Sequence, residues 1–133
     1  MAQPTLIAFN FTGERKARLT WACMRHRIRL REAAEAEQGQ TLAALCGMTP
    51  PAEVAPAGAP FADEVAVMAG FPPALMNAFL QTWRQAKQPP IRLKAALTPI
   101  NATWTARRLH DELAREDDAV RRHERATHDQ QPE

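Results

Sequence analysis

At 133 residues, with 45 % apolar and 24 % charged side chains, the chain is long enough for one domain that buries about 65–70 % of its unfolded surface. That composition excludes wholesale disorder, and two cysteines, Cys23 and Cys46, are too few for a disulfide framework, so both are expected as reduced thiols. The net charge is only +2, carried by 14 arginines and three lysines, so where the charge falls matters more than its sum.

The opening MAQPTLIAFNF has no cationic leader and an apolar run too short for a signal peptide or a membrane span, which gives a cytoplasmic expectation. Residues 5–10, TLIAFN, have the length of a buried strand. In TGERKARLTWACMR a helical wheel places Ala17, Thr20, Trp21, Cys23 and Met24 on an inner face and Arg15, Arg18 and Arg25 on a wet one. Thr12 stands where an N-cap is wanted, with Glu14 in the first turn. RIRLR, residues 27–31, alternates and predicts an edge strand. QTLAALCGM predicts a short helix closed by Gly47, and the alanine and proline tract at 48–60 predicts an exposed loop. EVAVMAGF, residues 64–71, reads as a central strand. The following PPALMNAFLQTWRQAKQ reads as a helix started by prolines, with Leu75, Phe79, Trp83 and Ala86 inward. IRLKAALT predicts a second edge strand. A long helix is then expected from about Asn101 to Glu124, its charged end supported by Asp117 with Arg121 and Asp118 with Arg122; residues 125–133 are expected as a disordered tail.

Two unbroken apolar strands and two alternating ones predict a single α/β domain over 1–124, with one four-stranded sheet whose first and third strands are central. A mainly parallel, flavodoxin-like β-α-β-α-β-α-β-α arrangement with a long C-terminal helix is expected. A ferredoxin-like βαββαβ plus a C-terminal helix fits the same element order. The long connection after the second strand favours the first, because a hairpin needs only a few residues.

The strings LIAFNFTGERKARL, QTLAALCGM, EVAVMAGF, IRLKAALTPINATW and LHDELARE, in this order, resemble a bacterial family of small α/β proteins catalogued only as a domain of unknown function. The resemblance covers nearly all of residues 5–124. Its most specific part is Thr98, Pro99, Asn101 and Trp104 after the last strand; Ile100 departs from the family pattern, which carries a second threonine there. The resemblance implies an α/β fold and no activity.

In a parallel sheet, ligands bind beyond the carboxyl ends of the strands. That would gather Asn10, Thr12, Gly70, Phe71, Thr98 and Asn101, and a small polar ligand could be held by Asn10, Thr12, Thr98 and Asn101. The competing reading is that Thr98 or Asn101 caps the last helix. Acidic residues that would hold Mg²⁺ at the strand ends are missing, so phosphoryl acceptance is excluded. Residues 15–32 hold seven Arg or Lys with His26. Arg27, Arg29 and Arg31, spaced about 6.6 Å apart on one strand face, with Arg92 and Lys94 beside them, would form a basic patch for RNA or an acidic protein. No tyrosine accompanies it, which argues against base stacking and for a solvated edge. Cys23, His26, Cys46 and His110 match no zinc spacing, so no metal and no cofactor is expected. The function expected is a non-catalytic interaction or regulatory module with an unidentified protein partner. A binding domain or enzyme for a small polar metabolite comes second and weak RNA binding third; homo-oligomers are compatible, and no membrane contact is expected.

Overall fold

Strands β1 (Thr5–Phe9) and β3 (Val65–Ala69) are buried along their whole length. Branched and aromatic side chains such as Ile7, Phe9, Val65 and Val67 suit a pleated, doubly covered surface, and each contributes about 1.5–3 kcal/mol on leaving water. β2 (Arg29–Ala33) and β4 (Leu93–Ala96) flank them in the order β2-β1-β3-β4. The structure, a computed structural model, describes residues 3–52 and 59–130, with side chains through residue 125.

Alternate residues of β1 divide between two layers. Leu6 and Ala8 join α1 (Gly13–Arg25) and α3 (Pro73–Gln85) in one cluster with Leu19, Ala22, Cys23, Phe79 and Trp83. Ile7 and Phe9 join α2 (Leu42–Leu45) and α4 (Ala106–Gln130) in the other, with Leu42, Leu45, Ala106 and Leu109. Helices therefore cover both faces, as expected of the α/β class. Among the described residues no helix is long and apolar enough to cross a membrane.

The sheet is mixed rather than mainly parallel. β1 runs parallel to β2, and β3 to β4, but β1 and β3 are antiparallel. The connection from 34 to 64 begins and ends at the same end of the sheet, so its length is used for α2 and for anchoring rather than for a crossover. Gln38 pairs its side-chain amide with both backbone groups of Phe61, and Gln40 does the same with Ala52. Residues 53–58 of the alanine and proline tract lie outside the described residues; 48–52 and 59–60 are exposed. α4 continues to Gln130, beyond the end expected at Glu124, and begins at Ala106 after a single 3-10 turn at Asn101–Thr103.

The two halves repeat one plan at an offset of 60 residues: β1 and α1 begin at 5 and 13, β3 and α3 at 65 and 73. Left-handed residues recur at the same offset, Asn10 (φ 65°) with Gly70 (φ 73°) and Arg27 (φ 55°) with Lys87 (φ 58°). Thr5 faces Ala69 and Phe9 faces Val65, so equivalent residues exchange places about the central Ile7–Val67 pair. This is the pattern of a local two-fold axis. Thr41 and Thr105, which bridge antiparallel, lie on the same symmetry: Leu42 donates to the Trp104 carbonyl (2.9 Å) and Ala106 to that of Gln40 (3.0 Å).

α1 turns by part of a revolution from its expected phase. Leu19, Ala22 and Cys23 are buried, while Trp21 and Met24 stand 44 % and 73 % exposed. Arg15, expected in solvent, is drawn inward. Its guanidinium pairs with both oxygens of Glu64, donates to the Pro89 carbonyl at 2.6 Å and lies 5.1 Å from the Trp83 ring centre. Stacking on an aromatic face lets this cation sit where a bare charge would not.

Candidate functional site

β4 is followed by Leu97, Thr98, Pro99, Ile100 and Asn101. Asn101 is buried, and both ends of its amide are engaged: Oδ1 accepts from the Thr98 N–H (2.8 Å) and Nδ2 donates to the Ala96 carbonyl (3.0 Å). Its own N–H donates to Thr98 Oγ1 (3.0 Å). Reciprocal side-chain bonding of this kind replaces the backbone partners lost where a strand stops. α4 is capped instead by Thr105, whose hydroxyl accepts from Arg108 N–H (3.2 Å).

The antiparallel centre of the sheet separates the residues expected to share a corner. Asn10 and Thr12 follow β1 at the end where β3 begins, and Gly70, Thr98 and Asn101 follow β3 and β4 at the opposite end. Asn10 uses its amide on the lead-in to β3, donating to the carbonyls of Phe61 (3.1 Å) and Asp63 (2.9 Å). Thr12 precedes α1 without a side-chain capping bond. Asn10 and Thr12 therefore share no corner with Thr98 and Asn101.

The basic residues are divided as well. Arg27 lies in the turn before β2, while Arg29 and Arg31 are on β2 and face the α2 side. Arg92 precedes β4 and Lys94 is on it, with β1 and β3 between the two groups. Arg31 binds Glu37 through both terminal guanidinium nitrogens. That hydrogen bonding raises the arginine's proton affinity and holds the Glu37 carboxyl below the usual carboxylate range. Arg92 lies 3.6 Å from Asp117, which also binds Arg121 at 2.9 Å.

The histidines and cysteines stand apart. Burial pushes the Cys23 thiol up to about 12. His26 Nε2 is 2.7 Å from Thr82 Oγ1, and His110 stacks on Phe61 with its nitrogens 2.7 Å from Asp63 and 3.0 Å from Asp111.

The outer rim of β4 is the feature that the sequence reading left unused. The Leu97 N–H donates to the Met68 carbonyl (2.9 Å). Ladder alternation then turns the backbone groups of Leu93, Ala95 and Leu97 toward β3 and those of Lys94 and Ala96 outward. Asn101 takes the outward carbonyl of Ala96. On the α3 side of this rim, a cavity of about 210 Å³ is walled by Leu80, Trp83 and Ile91, with Arg84 and Lys94 at its mouth. On the α4 side, a groove of about 530 Å³ contains Arg92, Leu93, Ala114, Asp117 and Arg121. The paired strings IRLR and IRLK, at 28–31 and 91–94, are the sequence signal that could have pointed to two comparable edges.

No curated protein and no solved structure matches the chain. Residues 64–120, which carry β3, α3, β4, the Thr98–Asn101 joint and the first part of α4, match the model of a family described as Domain of unknown function (DUF3783), so this part of the chain is similar to that family.

Proposed function

We propose that the chain is a cytoplasmic, bacterial, non-catalytic interaction module that docks a protein partner along the β4–α4 side of its second half. The observation that carries this reading is the rim of β4, with outward backbone groups at Lys94 and Ala96 and a recess on each side. An unpaired edge is a template for another chain, and a recess beside it supplies selectivity. The exposed, ion-paired half of α4, including Val120 at 55 % exposure, extends the same surface. Two free thiols accord with a reducing compartment.

The test is in-cell photo-crosslinking of the full chain, with a photoreactive residue in place of Arg92 in one variant and of Arg29 in another. One partner should dominate the adducts from position 92 and be missing from those at 29. Equal, diffuse labelling from both positions would refute the reading.

A further inference from the structure

Resting on that docking reading, we infer that the partner adds an extended segment to β4 as a fifth strand, inserting an apolar side chain among Leu80, Trp83 and Ile91 and setting a carboxylate beside it. Strand addition requires main-chain groups that point away from the sheet. Lys94 offers its N–H and carbonyl and Ala96 its N–H, while Asn101 closes the far end. The added segment would therefore gain three backbone hydrogen bonds over a short stretch. Its side chains alternate between the sheet's two faces, so those on the α3 side meet the cavity and those on the α4 side meet the groove beside Leu93.

The cavity fixes the partner's chemistry. Its walls are apolar, its volume of about 210 Å³ has room for one aliphatic or aromatic side chain, and the ionisable residues lining it, Arg84 and Lys94, are both cations. An acidic residue two positions from the inserted side chain, and so on the same face, complements them. Lys94 does not bar the edge: its ammonium donates to the Ile91 carbonyl of its own chain (2.8 Å), which folds the side chain back along the strand. A second copy of the chain is a poorer occupant. Symmetric β4–β4 pairing would bring two Lys94 side chains close together with no acid on either strand, and like charges across such a pair repel.

The probe is a fluorescein-labelled eight-residue peptide with serine at its odd positions and leucine and glutamate in turn at its even ones, so that leucine and glutamate share one face, titrated against the full chain by anisotropy. Two control peptides are N-methylated at alternate amides or carry lysine for glutamate. The first peptide should bind, protecting the Lys94 and Ala96 amides from hydrogen exchange. N-methylation at the amides facing β4 should weaken it about tenfold or more, and Lys94→Glu should reverse the preference between the acidic and basic peptides. Equal binding of the methylated peptide would overturn the inference without any protein variant. Protection of the same amides that rises with protein concentration alone would assign the edge to a second copy and overturn it too. If crosslinking finds a partner at position 92 while no peptide protects these amides, the docking module stands and strand addition falls; if neither occurs, both fall.

Discussion

At the joint after β2, Glu37 accepts from the Ala34 N–H at 2.8 Å; at the equivalent joint after β4, Asn101 accepts from the Thr98 N–H at 2.8 Å. Each cap sits three residues beyond the amide it satisfies, so the two halves solve the same backbone problem with different chemistry. The charged cap draws Arg31 back along β2, where its guanidinium also donates to the Glu32 carbonyl (2.9 Å), a group on the outer rim. Lys16 adds a bridge to Glu32 at 3.2 Å. A neutral cap draws no cation, and the rim of β4 beyond Asn101 stays open. The difference teaches that the residue chosen at a strand end also decides how far the neighbouring edge is shielded.

The largest effects test whether the halves share one core. Phe79 and Leu19 are equivalent at the 60-residue offset and sit fully buried in the same cluster. Phe79→Ala should cost about 4 kcal/mol and Leu19→Ala about 3 kcal/mol in urea unfolding. A loss below about 1 kcal/mol at either would show that α1 and α3 do not bear on the same interior.

The two caps come next. Asn101→Ala should cost about 2 kcal/mol, because a buried residue loses two side-chain bonds and strands their partners. Glu37→Gln should cost about 1 kcal/mol or less, since its ion pair is partly open to solvent. The second loss depends on pH with a definite sign. Hydrogen bonding from Arg31, and from the Ala34 N–H, lowers the Glu37 carboxyl below its ordinary value of 4.5. Its contribution is therefore present at neutral pH and disappears as pH falls through the lowered folded-state value. The gap between the native chain and Glu37→Gln should close on acidification, and a gap that persists or widens would refute the role given to the pair.

The smallest effect concerns the thiols. Cys23 occupies the position equivalent to Trp83 and is held in its protonated form by burial, with its pKa pushed up to about 12. Cys46 is half-buried. Alkylation at neutral pH followed by mass spectrometry should modify Cys46 first and Cys23 only upon unfolding, because the thiolate is the reactive form. Equal rates would mean that the α1 layer opens far more readily than its packing implies.

Much of this architecture is legible in the residues. The apolar runs at 5–9 and 65–69 identify the two central strands, and the alternation in IRLR and IRLKA identifies the two edges. Pro72 and Pro73 mark the start of α3, and Gly47, at φ 85°, the close of α2. The inner face of α1 was misread because Trp21 and Met24 outweigh Ala22 on any apolar scale, whereas the core accepts the smaller side chain against β1. The joint at Thr98–Asn101 was legible as a joint, since proline and asparagine there need only local backbone partners.

The sequence by itself determined which segments are strands and helices, because hydrophobic period, prolines and turn residues act within a few positions along the chain. Strand direction was decided only in three dimensions: the Gln38 and Gln40 amides grip Phe61 and Ala52 from far along the chain, and the connection returns to the end of the sheet it left. That one reversal places Asn10 and Asn101 at opposite ends of the sheet. Pairing direction depends on contacts between residues remote in sequence, and local pattern carries no record of them.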